Sequence, residues 1–137
     1  MRKNLNRYKS KQKEIFNQAI SEIKKGKKES KWIEYIFPLM HGIDIIEEKE
    51  YEISNVIEAR EYLNDDVLLK NIIEILKLLQ KSNIKEIMGE KELKKIHCSL
   101  TLLSYITNPN FKNLLIFRGY EEKLIKKVFT ENKEFKI

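Results

Sequence analysis

Residues 65–80, DDVLLKNIIEILKLLQ, constrain the fold more than any other stretch. Nine of the thirteen residues in 67–79 are apolar, and Lys70, Glu74 and Lys77 form a narrow stripe at i, i+4 and i+7. A helix with so thin a polar face must bury most of its surface against other elements. Asp65 or Asp66 supplies the carboxylate that caps its first amides. The spacing therefore predicts a buried helix at the centre of the fold, with the rest of the chain packed round it.

The rest reads as helical too. Strand-like alternation is scarce, and four Gly and two Pro are too few for a loop-rich β design. Ile15, Phe16, Ala19, Ile20 and Ile23 share one face of a first helix, which Gly26 stops among the lysines of KKGKK. A short helix spans 32–37 and ends at Pro38 and Gly42. Residues 43–53 read as an irregular link that accommodates an extended piece. Asn55 and Glu58 have capping-box spacing ahead of Val56, Ile57, Ala59, Tyr62 and Leu63. Asn83 and Glu86 repeat that spacing before one turn that stops at Gly89. In the helix over 90–106, Leu93, Ile96, Leu100 and Leu103 form one apolar row, and Cys98, Leu102 and Tyr105 a second. Asn108-Pro109 breaks it, and short helices follow over 111–117 and 121–129. The expected fold class is all-α: one domain over 1–137, six or seven helices round a buried central one, frayed at about 1–6 and 131–137.

Composition bounds the function. With 42% hydrophobic and 35% charged residues the chain is globular, and 137 residues bury enough surface to fold without metal or disulfide. Its one cysteine suits a reducing compartment. The basic N-terminus lacks the apolar core of a signal peptide, and no apolar run is long enough to span a membrane. A cytoplasmic protein that needs no cofactor is expected. The net charge of +6 points to an anionic partner. Only four of the 27 basic residues are Arg, the residue that makes most bidentate phosphate and base contacts, so nucleic acid is the weaker reading. Twenty isoleucines beside many Lys and Asn also suit AT-rich coding DNA, which makes a chain basic without any ligand.

Common chemistries are missing. There is no GxGxxG, no GxxxxGK[ST], no HExxH and no cysteine pair, so no nucleotide loop or zinc site is indicated. Cys98 follows His97 directly, and adjacent helical side chains diverge, so the pair is no nucleophile and base; Cys98 reads as a small buried residue. Lys94, His97, Thr101 and Ser104 line up as a polar stripe that reads either as solvent-facing or as the lining of a cleft, and Lys95 with Ser99 forms a neighbouring pair. In SKWIEYIFPLMHGI (30–43), Trp32, Tyr35 and Ile36 share one helical face, and Ile33 and Phe37 another. Core packing is the plain reading of these rings. Lysines 24, 25, 27, 28 and 31 lie just upstream, and charge beside stacking surface suits a nucleotide-like ligand.

RYKSKQKEIFNQAISEIKKGKKESKWIEYIFPLMHGI resembles the opening of a bacterial family of small helical proteins, domain of unknown function 1810. The resemblance rests on Arg7-Tyr8, Gly26-Lys27-Lys28, Ser30, Trp32, Tyr35, Ile36, Phe37 and Pro38. YEISNVIEAREYLNDDVLLKNI and ELKKIHCSLTLLSYI are similar to two further blocks of the family, the second through Lys95, Ser99 and Thr101. The resemblance implies a compact multi-helical domain and carries no settled activity. The chain departs from the family pattern at Lys31, Glu34, Leu39 and Cys98, where the family has His, Trp, Gln and Ser.

The resulting expectation is non-catalytic binding of an anionic, nucleotide-like small molecule, such as a signalling nucleotide or an ADP-ribose derivative. The candidate ligand residues are Lys31, Trp32, Tyr35, Phe37, His41, Lys95, His97, Ser99 and Thr101. Trp32 or Tyr35 would stack, Lys31 and Lys95 would neutralise phosphate, and Ser99 and Thr101 would hydrogen-bond. Sequestration of the ligand, as by a phage-encoded sponge, suits such a chain. The alternatives are an enzyme using His41, His97 or Glu34 as acid or base, and a basic module that binds nucleic acid or protein.

Overall fold

The computed structural model describes residues 4–82 and 84–106. The helices expected at 111–117 and 121–129, the break at Asn108-Pro109, the cap at Asn83 and the fraying at 131–137 lie outside them. The described residues form five α-helices: α1 (Asn6–Lys25), α2 (Ile33–Ile36), α3 (Val56–Asn64), α4 (Asp66–Gln80) and α5 (Ile84–Ile106). A single 3-10 turn (Lys49–Tyr51) interrupts the connection between α2 and α3. The class is all-α; among the described residues β structure is limited to one parallel bridge between Met40 and Ile53.

Local hydrogen bonds start and stop the helices where the residues suggest. The Asn55 side chain accepts from the Glu58 amide at the head of α3, and one Asp65 oxygen accepts from Val67 and Leu68 at the head of α4. The other half of the capping box is replaced, because the Glu58 carboxylate turns to the Ser54 amide and to Arg7. Gly26 ends α1 at φ 90°, a left-handed conformation that glycine adopts without strain, and its amide reaches Glu22 and Ile23. Gly89 lies at φ 79°, ψ 167° and divides α5 into a leading turn and a long helix, as the sequence indicates.

The apolar helix α4 packs on α1, α2 and α3. Its Leu68, Ile72, Ile75, Leu76 and Leu79 are fully buried, each contributing roughly 1.5–3 kcal/mol, while Lys70, Glu74 and Lys77 stay exposed. The most continuously enclosed stretch is 32–39, in which every residue is buried. A helix as short as α2 leaves its last carbonyls without intrahelical donors. Two buried side chains answer them: Gln12 Nε2 donates to Tyr35 O at 2.7 Å, and Tyr62 Oη donates to Ile36 O at 2.6 Å. Gln12 also donates to Tyr62 Oη at 3.0 Å and accepts from Asn71 at 2.9 Å, so α1, α3 and α4 all hold α2.

Between α2 and α3 the chain makes a strap over 41–52, closed at its base by His41 N to Ile53 O and Ile53 N to Leu39 O, at 2.8 and 2.7 Å. Arg7 on α1 clamps this strap to α3. Its guanidinium donates to the carbonyls of Glu50 and Glu52 at 2.8 Å and forks onto both oxygens of Glu58. Tyr8 beside it donates to Tyr51 O and packs edge-on against Tyr51 and Tyr62.

Candidate functional site

The approach to the site begins at Glu22 on α1. Its buried carboxylate accepts from the amides of Glu29 (2.7 Å) and Ser30 (3.0 Å), the Ser30 hydroxyl, Gln18 (2.8 Å) and Trp32 Nε1 (3.0 Å). Burial works to raise this carboxyl, but the hydrogen bonds from Ser30, Gln18 and Glu29 outweigh it and hold it at about 2. The turn after Gly26 therefore wraps round an anion, which sets the indole of Trp32 against α1.

Beyond Trp32 a shallow, open hollow is lined by Lys31, Trp32, Ile33, Glu34, Tyr35, Glu47, Glu48, Glu92 and Lys95. Three segments build it: α2 with its lead-in, the strap, and α5. Lys95 is 3% exposed and lies between Glu34 Oε2 (2.8 Å) and Glu47 Oε1 (2.6 Å), with Glu92 at 3.7 Å. Burial favours the neutral amine, but the bonds to Glu34 and Glu47 outweigh it and keep the ammonium charged. Glu34 also accepts from the amides of Glu47 and Glu48 at 3.1 Å, which ties the strap to α2. Hydrogen bonds from Lys95 and Lys91 draw the Glu47 carboxyl down to about 2. Tyr35 Oη donates to Glu48 at 3.1 Å. Burial first, then the charge of Glu48, pushes this phenol up to about 12, so it stays a neutral donor at physiological pH.

Of the nine candidate ligand residues, Lys31, Trp32, Tyr35 and Lys95 meet at this hollow, and Phe37, His41 and Ser99 do not line it. Phe37 is sealed in the core. His41 is exposed at the base of the strap, with Nδ1 2.7 Å from Glu52. Ser99 is fully buried one turn beyond Lys95, and its hydroxyl has no partner among the described residues. The side chains of His97, Thr101 and Ser104 lie outside the described set; Lys94, from the same stripe, is exposed. The stacking role given to Trp32 and Tyr35 finds no surface in this conformation. The indole is 1% exposed, and the Tyr35 ring is covered by Lys11 and Tyr51.

What sequence reasoning missed is acid. Four carboxylates face two ammonium groups in the hollow, so its lining is net negative. Glu34 was visible as a departure from the family pattern, but no signal marked Glu47, Glu48 or Glu92, which come from remote segments. Cys98 is buried beside Leu39 and Ile46, and burial pushes its thiol up to about 12, which leaves it inert. Among the described residues no group of three or more His, Cys, Asp or Glu is arranged to hold a metal ion, and no helix is long and apolar enough to cross a membrane.

None of the curated proteins compared matches this sequence. Among solved structures, the fold is similar to the crystal structure of the conserved hypothetical protein Rv1873 from Mycobacterium tuberculosis. The TM-score is 0.73 at 25% identity, covering 92% of this chain and 94% of the other. The Arg7-Tyr8 clamp and the Glu22–Ser30–Trp32 knot give a structural reason for motifs that first suggested a family. The model of the protein of unknown function family DUF1810 matches residues 2–128, and the chain belongs to that family.

Proposed function

We propose that the protein binds, without turning over, a small nucleotide-like molecule at the hollow between Tyr35, Lys31 and Lys95. The observation that carries this reading is convergence: four candidate residues from two separated segments line one concavity, joined by acceptor groups from a third. The enclosed space beside Lys95 holds little more than a water-sized group in this conformation, so a ligand engages the hollow through one small group and lies largely in its open mouth. Carboxylates accept only, so Glu48 and Glu92 favour ribose hydroxyls or an exocyclic amine. Lys31, exposed at the rim, adds a cation at the mouth of the hollow for an anionic ligand. Recognition then runs through hydrogen bonds and charge, not through ring stacking. Binding is favoured over catalysis because Glu34, the candidate acid or base in the hollow, is already held by two amides and an ammonium.

A thermal-shift series with nucleosides, nucleotides and ADP-ribose tests this reading. A ligand at one hundred times its Kd stabilises by about 2.7 kcal/mol, on the order of 10 °C for a chain of this size. Chromatography of the recovered ligand separates the alternatives: intact ligand supports binding, and altered ligand establishes an enzyme. Absence of a shift with every compound overturns the proposal.

A further inference from the structure

Two lysines of α5 converge on one oxygen of the strap. Glu47 Oε1 lies 2.6 Å from Lys95 Nζ and 3.2 Å from Lys91 Nζ. We propose that Lys91 and Lys95 form an anion subsite that Glu47 occupies in the free protein, and that a phosphate group of a ligand takes its place. This rests on the binding reading above and names the part of the ligand the hollow captures.

Burial decides which partner moves. The Lys95 side chain is 3% exposed and cannot follow Glu47 into water, whereas the Glu47 side chain is 36% exposed and can rotate out with little loss of hydration. Lys95 is not left bare by the exchange, because Glu34 stays at 2.8 Å. The strap backbone stays in place as well. Glu34 holds the Glu47 and Glu48 amides, and Ile46 is anchored beside Leu39 and Cys98. One side-chain rotation therefore opens the site, with no lid movement. The replacement is matched in sign, one anion for another between the same two ammonium groups, and a phosphate brings more negative charge to them than the carboxylate it displaces. It also explains how a hollow with an acidic floor accepts an anion: one of its four carboxylates is the anion's stand-in. Affinity is set by competition, since any phosphate must displace a carboxylate that is covalently part of the site.

The test uses inorganic phosphate as probe, titrated calorimetrically into the folded full chain. Glu47→Gln is expected to bind phosphate at least tenfold more tightly than wild type. Lys91→Met on that background should return at least fivefold of the gain. Glu74→Gln, which removes the same charge from an exposed site on α4, should leave affinity within twofold of wild type. The carboxyl carbon signal of Glu47 in the wild-type protein should move toward that of solvated glutamate under saturating phosphate. Equal phosphate affinity in wild type and Glu47→Gln, or an unmoved Glu47 signal, overturns the inference. Enhanced phosphate binding with no response to any nucleotide would keep the subsite and remove the nucleotide reading. Nucleotide binding with no effect of Glu47→Gln on phosphate would do the reverse.

Discussion

Replacing Glu22 with Gln should destabilise the protein by about 3 kcal/mol at neutral pH, and the loss should fade in acid. The carboxyl titrates at about 2 in the folded chain against an ordinary 4.5, a difference worth about 3 kcal/mol. Its folded-state value is depressed, so the stabilisation is complete well above 4.5 and disappears as pH falls from 4.5 toward 2. Glutamine cannot titrate, and if its one oxygen stays with the Glu29 and Ser30 amides and Trp32, its NH2 group faces the Gln18 amide that now donates to the second carboxylate oxygen. The gap between wild type and variant should be about 3 kcal/mol at pH 7 and about 2 kcal/mol by pH 3.5. At pH 7 it lowers the melting temperature by on the order of 10 °C. Other depressed carboxylates, such as Glu47, Glu58 and Asp65, weaken both proteins in acid and cancel in the comparison. Urea melts at pH 7, 5 and 3.5 measure it. A gap below 1 kcal/mol at pH 7, or one that does not shrink on acidification, would refute the account of Glu22 as a charged, saturated acceptor.

Three further outcomes are expected. Tyr62→Phe removes the hydroxyl that links Gln12 to the Ile36 carbonyl, and should cost about 1–3 kcal/mol by urea melt, because both partners stay buried. Gly89→Ala meets no atom within 4 Å, so its cost is the backbone's alone; at φ 79° that should reach at least about 1 kcal/mol in the same assay. Cys98, buried and held at about 12, should react with a thiol reagent only as fast as the protein opens, and at the full rate of a free thiol in denaturant.

Some of the fold was legible because its causes are local. Gly26, Asn55, Asp65 and Gly89 act within four residues of themselves, so their roles could be read before any tertiary contact was known. The apolar face of α4 was equally plain. The strap over 41–52 was not, since its path depends on Arg7, Glu34 and a bridge between Met40 and Ile53. The site was half legible. Lys31, Trp32 and Tyr35 announced themselves by crowding, and Lys95 by resemblance. That Trp32 would turn inward to Glu22 depended on a carboxylate ten residues away that looked like any other surface glutamate.

Periodicity and end-capping in the chain determined that this protein is a set of helices, where each begins or ends, and which faces turn inward, because those preferences arise between residues a few positions apart. Only the tertiary structure decided which charges meet. Glu34, Glu47 and Lys95 are separated by up to 61 positions. An ion's worth depends on how much water its neighbours exclude, and that is settled only when the segments have packed.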